Sequence, residues 1–202
     1  MPRSLESFCH HEAGHFVYYV MMGLGPTIEK VILTPTRACV DPIKGTLPVN
    51  KEDFASFAFT LVAGPGAHMR RIMSLGFHPA VTGIGLETDR AMHAQRGIIT
   101  GYYDEPDPND PTARRIWHDK LDRDWALMLR DENALSSKPA IRSAFEVVLT
   151  FFVEVAPGVV EGEALHDLVQ TTHQILSSTE ADWASRLPSG AEVRMGSYEP
   201  AG

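Results

Sequence analysis

Apolar side chains return every three or four residues near the start of the chain. Leu5, Phe8, Cys9, Ala13, Phe16, Val17 and Val20 form one stripe at helical spacing, Ser4 is placed to cap it, and Gly23, Gly25 and Pro26 end it. This predicts a helix running to about Met22. The pattern then changes to a β-branched run, Ile28-Glu29-Lys30-Val31-Ile32-Leu33-Thr34, closed by Pro35, which predicts a strand. Residues 36–44 are turn-like. Gly45-Thr46-Leu47-Pro48-Val49 is the expected short return strand, with Pro48 suited to an edge.

Asn50 caps a second helix that carries Phe54, Phe57, Ala58, Leu61 and Val62, with Glu52 and Asp53 near the positive end of its dipole. Gly64-Pro65-Gly66 predicts a break or kink there, and residues 67–75 resume the helix. Residues 82–85, TGIG, are a loop by composition, and a helix is expected from near Thr88 to about Ile99. Residues 101–112, GYYDEPDPNDPT, hold three prolines and four acids and predict a solvated loop. Three more helices are expected at about 113–134, 138–155 and 161–177. Ser137 with Pro139 starts the second of these and Pro157-Gly158 ends it. The stripe Trp117, Leu121, Trp125 and Met128 is expected in the core or at a subunit contact. From Ser178 the pattern dissolves. The expectation is a mainly α fold with a small β-hairpin or short sheet over 1–177, then a loose tail over 178–202.

Composition narrows the classes. The chain of 202 residues is 44% hydrophobic, ample for one core. A formal net charge of −8 with no basic stripe argues against nucleic acid as a partner. Two cysteines, Cys9 and Cys39, allow neither a disulfide framework nor a thiolate zinc cluster, so a reducing, cytoplasmic setting is expected. Met1-Pro2-Arg3-Ser4 leads directly into charged residues, unlike a secretory signal. The most apolar stretch, 144–156, is interrupted by Glu146 and Glu154 and is too short for a membrane span.

The chemistry lies in the first helix. Residues 11–15 read HEAGH. At helical pitch His11 and His15 sit only about 40° apart, so both imidazoles face one side, one turn from each other. Two nitrogen ligands so placed fit tetrahedral zinc. Glu12 lies about 100° from His11, on the flank of the site, where it can reach a bound water as general base without being a ligand. Gly14, costly inside a helix, makes sense where another part of the chain must approach closely. His10 cannot share the face of His11 and His15. Zinc needs a third protein ligand and an open position. Residues 16–22, FVYYVMM, exclude an HExxHxxGxxH continuation. The third ligand therefore comes from elsewhere, the candidates being Asp89, Glu87, His93, His68 and His78. Asp89 follows a glycine-containing loop in the first turn of its helix, and His93 is one turn further on the same face.

HEAGH, the following β element with Gly45-Thr46-Leu47-Pro48, the LVAGPGAH segment and VTGIGLETD together resemble the proteolytic domain of FtsH-type ATP-dependent zinc metalloproteases. The likeness is specific over about residues 5–100 and becomes general through 113–170. Aligning TGIGLETD with the family's "TGA-x-x-D" stretch makes Asp89 the third zinc ligand, with two more residues in the spacer. His11 and His15 then match the other two ligands and Glu12 the catalytic base. In the family's "AGR-x-AE" segment this chain has Pro65 and His68 in place of arginine and glutamate. No GxxxxGK[ST] motor motif or membrane anchor accompanies the motif.

The resemblance implies a zincin-like HExxH metalloendopeptidase that cleaves flexible or unfolded polypeptide. A separate ATPase or adaptor would be its partner for folded substrates, and a homo-oligomer is open, since the family forms rings. Val31 to Thr34, or its return partner, would hold an extended peptide by edge pairing. His93, Tyr102 and Tyr103 are candidates for oxyanion assistance. Two alternatives stand beside this: a zinc-containing binding or regulatory protein without turnover, and a metal-dependent amidase acting on a small molecule.

Overall fold

The computed structural model describes residues 4–77 and 86–178; His78, the 82–85 loop and the expected tail beyond Ser178 lie outside the described residues. Ser4 accepts the Ser7 backbone N–H at 3.1 Å and starts helix α1, Leu5–Met21. Its apolar residues do more than form a stripe. Every residue from His11 to Met22 is buried, because α1 runs through the middle of the molecule and is covered on all sides.

Strand β1, Ile28–Leu33, follows a short 3-10 turn at Gly25–Thr27. The return strand is not at 45–49 but at β2, Ala38–Pro42, pairing antiparallel with Val31 opposite Val40 and Leu33 opposite Ala38. Two local causes account for the shift. Pro35 presets a tight turn, and the Thr34 hydroxyl oxygen accepts the Arg37 N–H at 3.0 Å, so the chain reverses before Ala38. Gly45 adopts φ +93°, and the Thr46 hydroxyl donates to the Ile43 carbonyl at 2.7 Å, which makes that stretch a turn. A third strand, β3, Gly158–Val160, pairs antiparallel on the other side of β1, giving the order β2-β1-β3.

Helix α2, Lys51–Ser74, begins at Asn50, whose side chain accepts the Asp53 N–H at 2.9 Å. It continues through Gly64-Pro65-Gly66 without a break. An interior proline costs about 3 kcal/mol, but residues 61–68 are all buried here, and both glycines are packing devices. A Cβ on Gly64 would collide with the His15 ring, and one on Gly66 with the Glu132 carboxylate. Gly14 plays the same part on α1: a Cβ there would lie 2.9 Å from the Ala67 Cβ and closer still to the Ala63 carbonyl oxygen. The α1–α2 crossing is therefore built from small residues on both helices.

Helix α3, Leu86–Ile99, packs on α2. The 101–110 segment leads to α4, Pro111–Ser136, capped by Asp110. That segment is not wholly solvated: Tyr103 is buried, and its hydroxyl donates to Asp124 at 3.1 Å. Helix α5, Pro139–Val155, and helix α6, Gly162–Ser178, complete the wall around α1. Phe16, Val31, Leu33, Val62, Ala144, Val148 and Phe152 meet in one core. Leu121 and Trp125 are buried in it, with Trp117 and Met128 packed against it. The described residues are mainly helical, with one three-stranded antiparallel sheet among them. Among the described residues, no helix is long and apolar enough to cross a membrane.

Candidate metal centre

His11 and His15 project from one side of α1, and α3 brings Asp89 onto them. The Nε2 atoms of the two histidines are 3.0 Å apart. Asp89 Oδ2 lies 3.1 Å from the first and 3.5 Å from the second. Ligand atoms around a tetrahedral zinc, with bonds of about 2.0–2.1 Å, are separated by about 3.3 Å, so this triangle has the dimensions of three ligand positions. These side chains are sequestered, with 6%, 9% and 13% of their surfaces exposed for His11, His15 and Asp89.

A hydrogen bond from behind orients His15. Its Nδ1–H donates to the Thr60 carbonyl at 2.6 Å, which turns Nε2 toward His11 and Asp89. A ligating histidine fixed through its other nitrogen to a carbonyl is the usual support for a metal-binding imidazole. Pro65 has no N–H for the carbonyl of Leu61, the residue after Thr60. Gly64 leaves the space the His15 ring occupies.

The charge pattern is that of a cation site. Burial raises the Asp89 carboxyl, but the neighbouring imidazoles of His15 and His11 prevail and hold it well below the usual carboxylate range. Burial lowers the His15 imidazolium, yet Asp89, Glu12 and the Thr60 carbonyl together push it up to about 9. The metal-free site therefore holds a proton where a divalent ion would sit. Asp89 Oδ2 has no well-aligned hydrogen bond although it is buried. Two imidazole nitrogens and a carboxylate oxygen converging on one point form a donor set that can hold a metal ion.

Glu12 is 3% exposed, and its Oε2 is unpartnered. Burial raises its carboxyl, opposed by His11 and His15 and by the Val40 backbone of β2. His11, Glu12, His15 and Asp89 open onto a cleft of about 460 Å³, walled by Tyr19 and by β2 from Ala38 to Pro42.

The other candidates fall elsewhere. His93 is fully buried among the rings of Phe54, Tyr103 and Trp125. The α3 face that carries both Asp89 and His93 meets the metal site at one end and an aromatic cluster at the other. Glu87 is exposed and stands apart from the site. His68 is buried with its ring centroid 6.3 Å from that of His11, beside the site but outside the ligand set. His10 packs on Phe145, on another side of α1, as its angle requires. Neither Tyr102 nor Tyr103 reaches the cleft. Tyr19 does, one helical turn beyond His15, and the sequence pattern had not singled it out; the i, i+4 step from His15 was the available signal. Burial, with Asp89 and Glu12 nearby, pushes its hydroxyl up to about 12, so it stays a proton-bearing donor.

No family model matches the chain, and no curated protein matches it in sequence.

Proposed function

We propose that the chain is a zinc-dependent metallopeptidase of the zincin-like HExxH type, akin to the proteolytic domain of the FtsH-type proteases, hydrolysing peptide bonds in flexible or unfolded polypeptide. The observation that carries this reading is the convergence of His11, His15 and Asp89 within 4.8 Å, with Glu12, whose Oε2 is unpartnered, beside them in one cleft. A binding protein would need the ligands but not the base.

His11, His15 and Asp89 would hold the zinc ion, which when bound would supply Lewis acidity and lower the pKa of water toward neutrality. Glu12 takes the water's proton at its carboxylate. Its burial raises its proton affinity, which suits a base that must also give the proton back. The water oxygen, having lost that proton, adds to the scissile carbonyl carbon, and as the carbon–nitrogen bond breaks Glu12 delivers the proton to the departing amine. Tyr19, neutral and facing the same cleft, donates its O–H toward the carbonyl oxygen as charge develops there. Strand β2 pairs with β1 on one side only, and its residues line the cleft. An extended substrate adds to its other edge through main-chain hydrogen bonds. This edge favours a polypeptide over a small amide, because a strand binds a backbone and not a compact molecule.

Glu12→Gln tests the reading. The variant should retain zinc and lose hydrolysis of an unstructured peptide by at least a hundredfold. Full activity in that variant would refute it.

A further inference from the structure

The metal cleft does not end at Tyr19. A cavity of about 320 Å³ adjoins it and shares Tyr19, Pro42 and Leu47 with it, so the two form one groove past the end of β2. That volume is at the lower limit of ligand sites and suits one large side chain. Leu24, Leu47, Pro48 and Phe57 give the cavity apolar walls. Phe57 is buried and stands edge-on to Tyr19, ring centroids 6.3 Å apart. The polar side chains of the lining, the Tyr19 hydroxyl aside, offer only acceptors. The Thr27 hydroxyl donates to the Leu24 carbonyl and the Thr46 hydroxyl to the Ile43 carbonyl, each at 2.7 Å, so both oxygens keep lone pairs alone. Asp53, one helical turn before Phe57 on α2, is exposed and is the single charged residue of the lining. Its Oδ2 accepts from the Asn50 amide at 2.8 Å, and no cation among the described residues pairs with it. Apolar walls with an acceptor rim match a methylene stem that ends in a donor, since the stem is buried while the charged head stays hydrated at the mouth. An aliphatic side chain would fill the walls and leave Asp53 unpaired, and an acidic one would be repelled.

We propose that this cavity is a subsite for a lysine or arginine side chain of the polypeptide substrate, with Asp53 as its specificity-determining residue; this rests on the peptidase reading above. The stem lies against Leu47 and Phe57, and the head meets Asp53 and the Thr46 hydroxyl oxygen. Strand addition along β2 delivers the side chain, because β2 ends at Pro42, which lines both the cleft and the cavity.

The probes are short dansyl-labelled peptides rich in glycine and serine, identical but for one central residue: lysine, norleucine or glutamate. Norleucine keeps the methylene stem of lysine and lacks the ammonium. Each is titrated into the full chain with a metal chelator present, so that fluorescence anisotropy reads binding without turnover. The lysine peptide should bind about threefold tighter than the norleucine peptide, and about tenfold tighter than the glutamate peptide. Asp53→Asn should bring lysine and norleucine to equal affinity. Glu146→Gln, an exposed acid of α5 at a different cavity, should leave the preference intact. Circular dichroism checks that both variants fold. Equal affinity for lysine and norleucine in the unsubstituted chain, a preference that survives Asp53→Asn, or no binding of the lysine peptide up to its solubility limit would overturn the proposal. Hydrolysis of the same peptides by the zinc-equilibrated chain is scored separately. Lysine-selective binding without hydrolysis would support the subsite and count against the peptidase, whereas hydrolysis with no preference for lysine would overturn the subsite alone.

Discussion

The Nδ1–H of His15 points at the Thr60 carbonyl, 2.6 Å away, and this bond aims the other ring nitrogen at His11 and Asp89. The space for that orientation comes from Gly64, where a Cβ would stand 2.6 Å from the His15 Cε1. Gly64→Ala should therefore tilt the imidazole and weaken zinc binding by about 10- to 100-fold, the range seen when support behind a ligand is lost. Competition against a chromophoric chelator measures it. Unchanged affinity would mean that His15 is not held as described.

Metal uptake should release protons. Without metal, the raised His15 pKa of about 9 keeps a proton in the site at neutral pH, and a divalent ion must displace it. Affinity should climb about tenfold per pH unit below pH 9 and level off above it. Calorimetry in two buffers of different ionisation enthalpy reads the proton count. The same shift fixes a sign for metal-free stability. A histidine whose pKa rises on folding contributes stability below its unfolded value near 6.5, and that contribution is lost as pH rises toward 9, on the order of 3 kcal/mol.

His93 and His10 give the opposite slope. Burial first, with Arg90 and Arg71 respectively, depresses each to about 4. The unfolded chain takes up protons from pH 6.5 downward while the folded chain does not, so stability falls between 6.5 and 4. His93→Phe should flatten part of that limb in urea unfolding series. An identical pH slope in the variant would place His93 in a less buried environment.

Glu132 on α4 is fully buried and accepts from Arg70 of α2 at 2.6 and 2.9 Å, while its backbone carbonyl accepts from Tyr18 of α1 at 3.1 Å. Glu132→Ala should cost about 3 kcal/mol, the lower part of the range for breaking a buried pair, since Arg70 is one-third exposed and can rehydrate. Denaturant unfolding tests this. A loss below about 1 kcal/mol would place the pair among surface contacts.

Tyr19→Phe keeps the cleft's shape and removes one donor. Turnover of an unstructured peptide should fall about 100-fold or more with little change in KM, the pattern of an interaction made in the transition state. A change confined to KM would assign Tyr19 to substrate binding instead.

The local signals at helix starts were direct in the sequence. Ser4 and Asn50 cap the helices they were expected to cap, and His11 and His15 share a face because their spacing leaves no other arrangement for a helix. Asp89 was one of several candidates, since nothing in a one-dimensional pattern says that α3 turns Asp89 to the metal site and His93 to an aromatic cluster one turn later. The return strand was misplaced because all of β2 is half-buried and shows no alternation; its signal was the Pro35 turn. Strand β3 is three residues long, too short for periodicity to register. Gly64-Pro65-Gly66 carried a strong local breaker signal that tertiary packing overrode. What the two glycines accommodate, the His15 ring and the Glu132 carboxylate, becomes visible only once α2 is set against its neighbours.

The most direct test of the centre is zinc content with X-ray absorption at the metal edge, on protein equilibrated in metal-buffered zinc. One ion per chain, with two imidazoles and one carboxylate in its coordination shell, is the expected result, and it should disappear in both His15→Ala and Asp89→Ala. Sub-stoichiometric zinc in the unsubstituted chain, or a shell that survives Asp89→Ala intact, would contradict it.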